Sequence, residues 1–136
     1  MSKPYKTPLR VLIVEDSQLT AEQIREILEQ IPTPTDIKIT GSQDDAIAAA
    51  DEFLPEVVVL DLQLSQGNGF GVLKALSIKS PKPKLVVVTN YALPSYRNYA
   101  FLIGADFFLD KVKDIDMLKS SVESITRDRN SSQSNN

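Results

Sequence analysis

Residues 9–17 read LRVLIVEDS, a mostly apolar run rich in β-branched residues that stops at two acidic residues. A continuous apolar run is typical of a strand that is covered on both faces, as in a parallel sheet. Similar runs occur at residues 57–60 and 85–88, with a weaker one at 107–109. The run at residues 37–40 alternates between apolar and polar side chains, which indicates an edge strand. The sequence therefore predicts five strands.

Helical patterns separate these strands. The first predicted helix follows Ser17, spaces its apolar residues i, i+3, i+4 and i+7, and ends before Pro32. The others begin at Ser42, near Gly69, near Pro94 and at Asp114. Alternating strands and helices predict a parallel sheet with right-handed crossovers. We therefore expect an α/β, flavodoxin-like, doubly wound fold: five parallel strands in the order 2-1-3-4-5 inside a three-layer αβα sandwich.

Length and composition describe one ordinary domain. The chain has 136 residues, 42% of them hydrophobic, with a formal net charge of −3. We predict an N-terminal extension at residues 1–8, the domain at 9–126 and a polar, disordered tail at 127–136. No apolar run approaches the roughly 20 residues that span a bilayer, so we expect a cytoplasmic location and no membrane partner. The sequence has no dense Lys/Arg stripe, which argues against direct nucleic-acid binding.

Cysteine and histidine are both absent, so any chemistry must use carboxylates, hydroxyls and lysine. The residues that end the predicted strands are of these types. They are Glu15 and Asp16 after the first, Asp61 after the third, Thr89 after the fourth and Lys111 after the fifth. Each one alone is ordinarily a surface or capping residue. Together they fall at the carboxyl edge of one sheet, which is where open α/β sheets bind ligands.

Three of these residues are carboxylates that would share one crevice. At a separation of ~5 Å and an effective dielectric of ~20, each like-charged pair repels by roughly 3 kcal/mol. Oxygen donors without histidine or cysteine suit Mg²⁺, and Lys111 and Thr89 can bind phosphate oxygens. The pattern predicts a phosphoryl-transfer site with a carboxylate nucleophile, in which Asp61 attacks in line.

Four segments together resemble the receiver domains of two-component response regulators. They are VLIVEDS at 11–17, VVVLDL at 57–62, VVVTN at 86–90 and GADFFLDK at 104–111. The resemblance implies that Asp61 is the phosphoacceptor and that the donor is a sensor histidine kinase or a histidine phosphotransfer protein. It also implies that Asp16, Asp61 and the backbone carbonyl of Gln63 bind Mg²⁺, with Glu15 acting through water.

The same resemblance implies a switch. Lys111 would pair with the phosphoryl group, and Thr89 would turn toward it. Phe108 would then move into the space that Thr89 leaves. This change would remodel the face formed by helix 4, strand 5 and helix 5, where the family meets its protein targets. We expect a monomer or a weak dimer.

Three positions depart from the family pattern. Val112 stands where proline usually follows the lysine, so we expect a trans bond there. Asn90 replaces a small residue and would narrow access to the site. Ser65 replaces a frequent proline, and the glycines at 67, 69 and 71 predict a looser loop. Gln63, Asn90 and Tyr91 are expected to line the mouth where hydrolytic water arrives.

The main functional hypothesis is a receiver domain that switches protein contacts, either alone or as part of a longer regulator. It promotes its own phosphorylation and slow dephosphorylation and is not a turnover enzyme. The alternative is a pseudo-receiver that binds a partner without phosphorylation. A dehalogenase-type phosphatase is disfavoured, because such enzymes need a second aspartate two residues after the nucleophile and Gln63 stands there.

Overall fold

The computed structural model describes residues 7–134. Its strands are β1 (Leu9–Val14), β2 (Thr35–Thr40), β3 (Val57–Leu60), β4 (Lys84–Thr89) and β5 (Phe107–Asp110). Its helices are α1 (Gln18–Leu28), α2 (Gln43–Phe53), α3 (Gly69–Ser77), α4 (Pro94–Ile103) and α5 (Asp116–Ser134). All neighbouring strands are parallel, in the order β2-β1-β3-β4-β5. This confirms the predicted fold, including the alternating strand β2 at an edge.

The continuous apolar strands are buried on both faces, as predicted. Leu12 and Val14 of β1 belong to an apolar layer that also contains residues of α2, α3 and α4. Val11 and Ile13 point to the opposite layer, which contains residues of α1 and α5. Each buried aliphatic side chain stabilises the fold by roughly 1.5–3 kcal/mol. A one-residue shift of β1 would exchange its two faces, so this packing fixes which residues reach the end of the strand.

Three helices begin with a side-chain cap just beyond the carboxyl ends of the strands. Ser17, Ser42 and Asn68 each accept a hydrogen bond from the backbone N–H three residues later. The predicted starts at Ser17 and Ser42 are confirmed. These caps satisfy N–H groups that a helix cannot pair internally. Within residues 7–134, no helix is long and apolar enough to cross a membrane.

The prediction of a disordered tail from residue 127 is wrong for the part of the tail that the structure describes, because α5 continues to Ser134. Arg129 anchors this last part of the helix. Its Nε lies 2.8 Å from Glu56 Oε2, and its Nη2 lies 2.8 Å from Thr7 Oγ1. A long-range ion pair therefore replaces the apolar anchor that the sequence lacks. Residues 1–6 of the predicted extension and the last two residues of the tail lie outside the described residues.

Replacing Arg129 with methionine is expected to lower the free energy of unfolding by about 2 kcal/mol, because hydrogen bonds to charged groups are each worth about 1.5–3 kcal/mol. Urea denaturation would measure the change, and amide exchange would show the end of α5 opening. Arg127→Met is the matched control, since Arg127 is exposed on the same helix. Equal urea midpoints for the two variants would show that the Glu56 ion pair does not anchor the helix.

Candidate functional site

Glu15 and Asp61 lie side by side at the carboxyl edge of the sheet. Val14 and Leu60 are register partners on the adjacent strands β1 and β3, so the next residue of each strand is an acid. The Asp61 N–H also donates to the Val14 carbonyl at 3.0 Å, which extends the strand pairing into the site. Both side chains are buried. Strand register alone therefore brings together two of the predicted site residues.

Lys111 joins these two carboxylates. Its Nζ lies 2.8 Å from Glu15 Oε1 and 2.9 Å from Asp61 Oδ2. Its backbone N–H donates to the Thr89 carbonyl at 2.8 Å, so the lysine is tied to the end of β4. The three side chains are only 2%, 8% and 14% exposed for Glu15, Asp61 and Lys111. We call these three residues the carboxylate–lysine cluster.

Burial and charge act against each other in this cluster. Burial raises the pKa of Glu15, although the hydrogen bond from Lys111 opposes the shift. For Lys111, burial favours the neutral amine, but the bonds to Glu15 and Asp61 prevail and raise the pKa above its ordinary value of 10.5. The lysine is therefore held as an ammonium ion. Two carboxylates share this one positive charge, so the cluster carries an uncompensated negative charge when both are ionised.

Asp16 has a different environment from the two buried acids. Its side chain is exposed, and Oδ2 accepts the Ser65 N–H at 2.7 Å. Partial burial alone would raise the pKa of Asp16, but the bonds from Ser65 lower it, which keeps the carboxylate charged. Among residues 7–134, no three acidic side chains form a group that could hold a metal ion. The three carboxylates that the sequence placed in one crevice have different main partners: Ser65 for Asp16, and Lys111 for Glu15 and Asp61.

The residues predicted at the mouth flank the cluster along the chain. The Gln63 N–H donates to Asp61 Oδ1 at 3.1 Å, and the Gln63 side chain is exposed. Thr89 is fully buried, and its hydroxyl accepts the Tyr91 N–H at 3.1 Å. Asn90 and Tyr91 are exposed directly after β4. Their effect on water access stays a prediction.

Phe108, the predicted switch residue, is 5% exposed and belongs to the apolar layer formed with α2, α3 and α4. Its ring centroid lies 6.4 Å from that of Phe101 on α4, and the Arg97 guanidinium lies 5.1 Å from the Phe101 ring. On β5, Phe108 is the register partner of Val87, two residues before Thr89. The Phe108 ring is thus packed between the sheet and α4, next to β4, the strand that ends in Thr89.

The loop after Lys111 is shaped by Asp110, whose carboxylate accepts the N–H groups of Val112 at 2.9 Å and Lys113 at 3.1 Å. These bonds lower the pKa of Asp110. In the described chain the cis peptide bond precedes Pro81, and the Lys111–Val112 bond is trans, as predicted.

The glycines after Asp61 do not form the looser loop that we expected. A Cβ on Gly69 would lie 2.0 Å from the Asp61 carbonyl oxygen, so only glycine permits this approach. Gly67, at φ +81°, and Gly71 both pack against Gln43, which sequence analysis did not single out. Nothing in the sequence marks Gln43 as a site residue, because its contacts come from the packing of α2 beside α3. The glycines here serve close packing.

Comparison with known proteins gives a consistent result. The family profile described as the response regulator receiver domain matches residues 11–123. The sensory transduction protein LytT of Bacillus cereus is 28% identical over 126 residues, covering 90% of this chain and 49% of its own length. A protein-glutamate methylesterase/protein-glutamine glutaminase of Symbiobacterium thermophilum is 30% identical over 90 residues, covering 66% of this chain and 25% of its own length. The chain therefore spans a quarter to a half of these curated relatives.

A solved structure supports the same relationship. A signal receiver domain from Vibrio parahaemolyticus superposes with a TM-score of 0.83 and is 26% identical in sequence. The match covers 96% of this chain and 99% of that one. The similarity therefore extends over nearly the whole of both chains.

Proposed function

Because the chain belongs to the response regulator receiver domain family of two-component signalling, we propose that Asp61 accepts a phosphoryl group from a sensor histidine kinase or a histidine phosphotransfer protein. The observation that carries this proposal is the ammonium of Lys111, 2.9 Å from Asp61 Oδ2 in a buried site. A buried carboxylate beside a fixed positive charge is suited to receive a phosphoryl group, whose oxygens need the same charge.

In the proposed transfer, a carboxylate oxygen of Asp61 forms a bond to phosphorus while the bond from phosphorus to the donor nitrogen breaks. The donor nitrogen keeps the electron pair. Asp61 needs no general base, because it reacts as the carboxylate. The Gln63 N–H orients Asp61 through Oδ1, and Lys111 transfers its hydrogen bond from the carboxylate to a phosphoryl oxygen. The protein therefore contributes position and charge.

The donors around Asp61 are of the kind that Mg²⁺ prefers, and receiver domains of this family typically bind this ion. The donors are oxygen atoms only: the carboxylates of Asp16 and Asp61 and the Gln63 backbone carbonyl, with Glu15 acting through water. The hydrogen bonds of Glu15 and Asp61 to one shared ammonium support this assignment, because they leave uncompensated negative charge. When bound, Mg²⁺ supplies charge that stabilises the phosphoryl oxygens.

Receiver domains of this family pair with histidine kinases and downstream targets. We propose that the target of this chain meets the face formed by α4, β5 and α5, with Thr89 and Phe108 as the switch and a monomer or weak dimer as the working state. An exposed aromatic residue supports this choice, since Phe101 of α4 is 38% exposed and its ring centroid lies 6.4 Å from that of Phe108 on β5. Tyr99 packs on the other side of α4, with its ring 5.2 Å from that of Phe70 on α3. Tyr96 is not available to such a patch, because it is half-buried with its ring 5.6 Å from that of Phe70.

The test is the intact mass of the protein after incubation with Mg²⁺ and a small-molecule phosphodonor. One added phosphoryl group, lost when Mg²⁺ is chelated before mixing, is expected. No adduct, repeated with a phosphorylated histidine donor, would overturn the proposal in favour of a pseudo-receiver that binds its partner unmodified. We propose that the chain promotes its own phosphorylation and slow dephosphorylation, without turnover of any other substrate. The methylesterase activity in the name of one relative belongs to that longer protein.

Tyr91→Ala is expected to accelerate loss of the phosphoryl group about tenfold, equivalent to ~1.4 kcal/mol in the barrier. The Tyr91 side chain is half exposed beside Thr89, where its bulk would hinder an attacking water molecule. Dephosphorylation of the purified phosphoprotein would be followed by intact mass. Tyr99→Ala is the control, as a similarly exposed tyrosine on α4. An unchanged rate in Tyr91→Ala would exclude a shielding role.

A further inference from the structure

Gln43, at the start of α2, contacts the loop that follows the proposed phosphoacceptor. Its Oε1 accepts the Asn68 N–H at 3.0 Å, and its own backbone N–H donates to the Gln66 carbonyl at 3.1 Å. These two bonds reach the same segment, residues 61–68, which we call the acceptor loop. One residue of a neighbouring helix therefore binds the loop through both its main chain and its side chain.

The loop and the start of α3 are folded closely around this side chain. A Cβ on Gly67 would lie 2.4 Å from Gln43 Cβ, and one on Gly71 would lie 2.3 Å from Gln43 Nε2. Both distances are far below van der Waals contact. The half-buried side chain of Gln43 thus occupies the space that a side chain at either of these two glycine positions would need.

The contacts of Gln43 continue into the site. Asn68 forms an isolated β-bridge with Gln63, whose N–H bonds to Asp61 Oδ1. Between them in the sequence, the Ser65 N–H binds Asp16 Oδ2 at 2.7 Å. A change in the position of Asn68 would therefore move the N–H groups of Gln63 and Ser65. These two groups bind the carboxylates of Asp61 and Asp16.

We propose that Gln43 is a positioning residue that holds the acceptor loop in the shape that presents Gln63 and Ser65 to the site. The inference rests on the function proposed above and concerns the shape of the loop before any phosphoryl group arrives. Without the Gln43 acceptor, the Asn68 N–H loses the hydrogen bond that the structure gives it, and the loop samples other shapes. The Gln63 carbonyl is then misplaced, and Mg²⁺ binds more weakly.

Amide hydrogen exchange measured by NMR tests the loop directly. Gln43→Met keeps the length of the side chain but removes the acceptor, and we expect exchange at Asn68 and Ser65 at least tenfold faster than in the wild type. Gln43→Glu keeps an acceptor oxygen, so exchange should return to within about threefold of the wild-type rate. Gln23→Met, on the exposed face of α1, is the matched control. Wild-type exchange at both amides in Gln43→Met would overturn the proposal.

A substitution at Gly71 tests the packing. Gly71→Ala should displace the Gln43 amide and lower the melting temperature of the wild-type protein. In Gln43→Ala the same substitution should raise it, because the space is free and alanine is the better helix former. A drop of the same size in both backgrounds would show that Gly71 is not packed against Gln43 and would overturn the proposal.

A Mg²⁺ titration followed by the Gln63 and Ser65 amide shifts tests the positioning role without any phosphodonor. We expect Gln43→Met to bind Mg²⁺ at least fivefold more weakly and Gln43→Glu to recover most of this loss. A loosened loop with unchanged Mg²⁺ affinity would make Gln43 a purely structural residue. If the wild type bound Mg²⁺ but formed no phosphoryl adduct, the proposed function would fail, and the titration and exchange results would still decide the role of Gln43.

Discussion

Asp61→Asn is expected to abolish formation of the phosphoryl adduct, with at least a hundredfold less product than the wild type. An amide oxygen is a far weaker nucleophile than a carboxylate, and the substitution also removes the charge that pairs with Lys111. The fold should persist, because Lys111 keeps its bond to Glu15 at 2.8 Å. Intact mass after incubation with Mg²⁺ and a phosphodonor measures the effect.

Asp110→Asn is the matched control for this experiment. Asp110 ends β5 at the same edge of the sheet, and its capping bonds to Val112 and Lys113 can be kept by an amide oxygen. We expect this variant to form the adduct at a rate close to that of the wild type. A phosphoryl group on Asp61→Asn, mapped to Glu15 or Asp16, would assign the acceptor to another carboxylate of the edge.

The fold was predictable because its strands are covered on both faces. A run such as Leu9–Val14 is apolar without alternation, and the acids that follow it mark where the strand leaves the core. The same pattern placed Glu15, Asp61 and Lys111 at one edge. The hydrogen bonds among these residues were not predictable from the sequence. They depend on the register of β1 with β3 and on the backbone bond that joins Lys111 to Thr89.

Features that depend on contacts between distant residues were not predictable. The polar end of α5 looked disordered because Arg129 finds Glu56 only in the folded chain. The glycines at 67 and 71 looked like a source of freedom, yet they make room for Gln43. Single-residue properties describe a site made of strand ends well, but they do not reveal side chains that support it from another helix.

Asp16 also makes a contact with a distant residue that the sequence did not reveal. Its place after β1 made it an expected neighbour of Glu15 and Asp61, but its carboxylate binds the Ser65 N–H. That bond closes the acceptor loop over the end of β1. A cation bound to Asp16 would draw on the same carboxylate as the Ser65 N–H, which links metal binding to the shape of this loop.

Lys111→Met is expected to cost about 3 kcal/mol of unfolding free energy near neutral pH, because it leaves two buried carboxylates without their shared cation. Urea denaturation would measure the loss, with Lys113→Met as the matched control. The Lys113 side chain is exposed, and the backbone N–H that Lys113 donates to Asp110 survives the substitution. A loss of similar size in both variants would show that the cluster contributes nothing specific.

The pKa shifts of Lys111 and Glu15 determine how the stability loss in Lys111→Met changes with pH. The pKa of Lys111 is raised in the folded protein, so its stabilising effect is present below 10.5 and is lost as pH rises through the higher folded value. Burial raises the pKa of Glu15 above 4.5, so ionised Glu15 opposes folding above that range. In Lys111→Met, acidification through the folded pKa of Glu15 neutralises one stranded charge. The stability difference from the wild type should therefore shrink from about pH 7 toward about pH 4, and a constant difference would contradict a charged cluster.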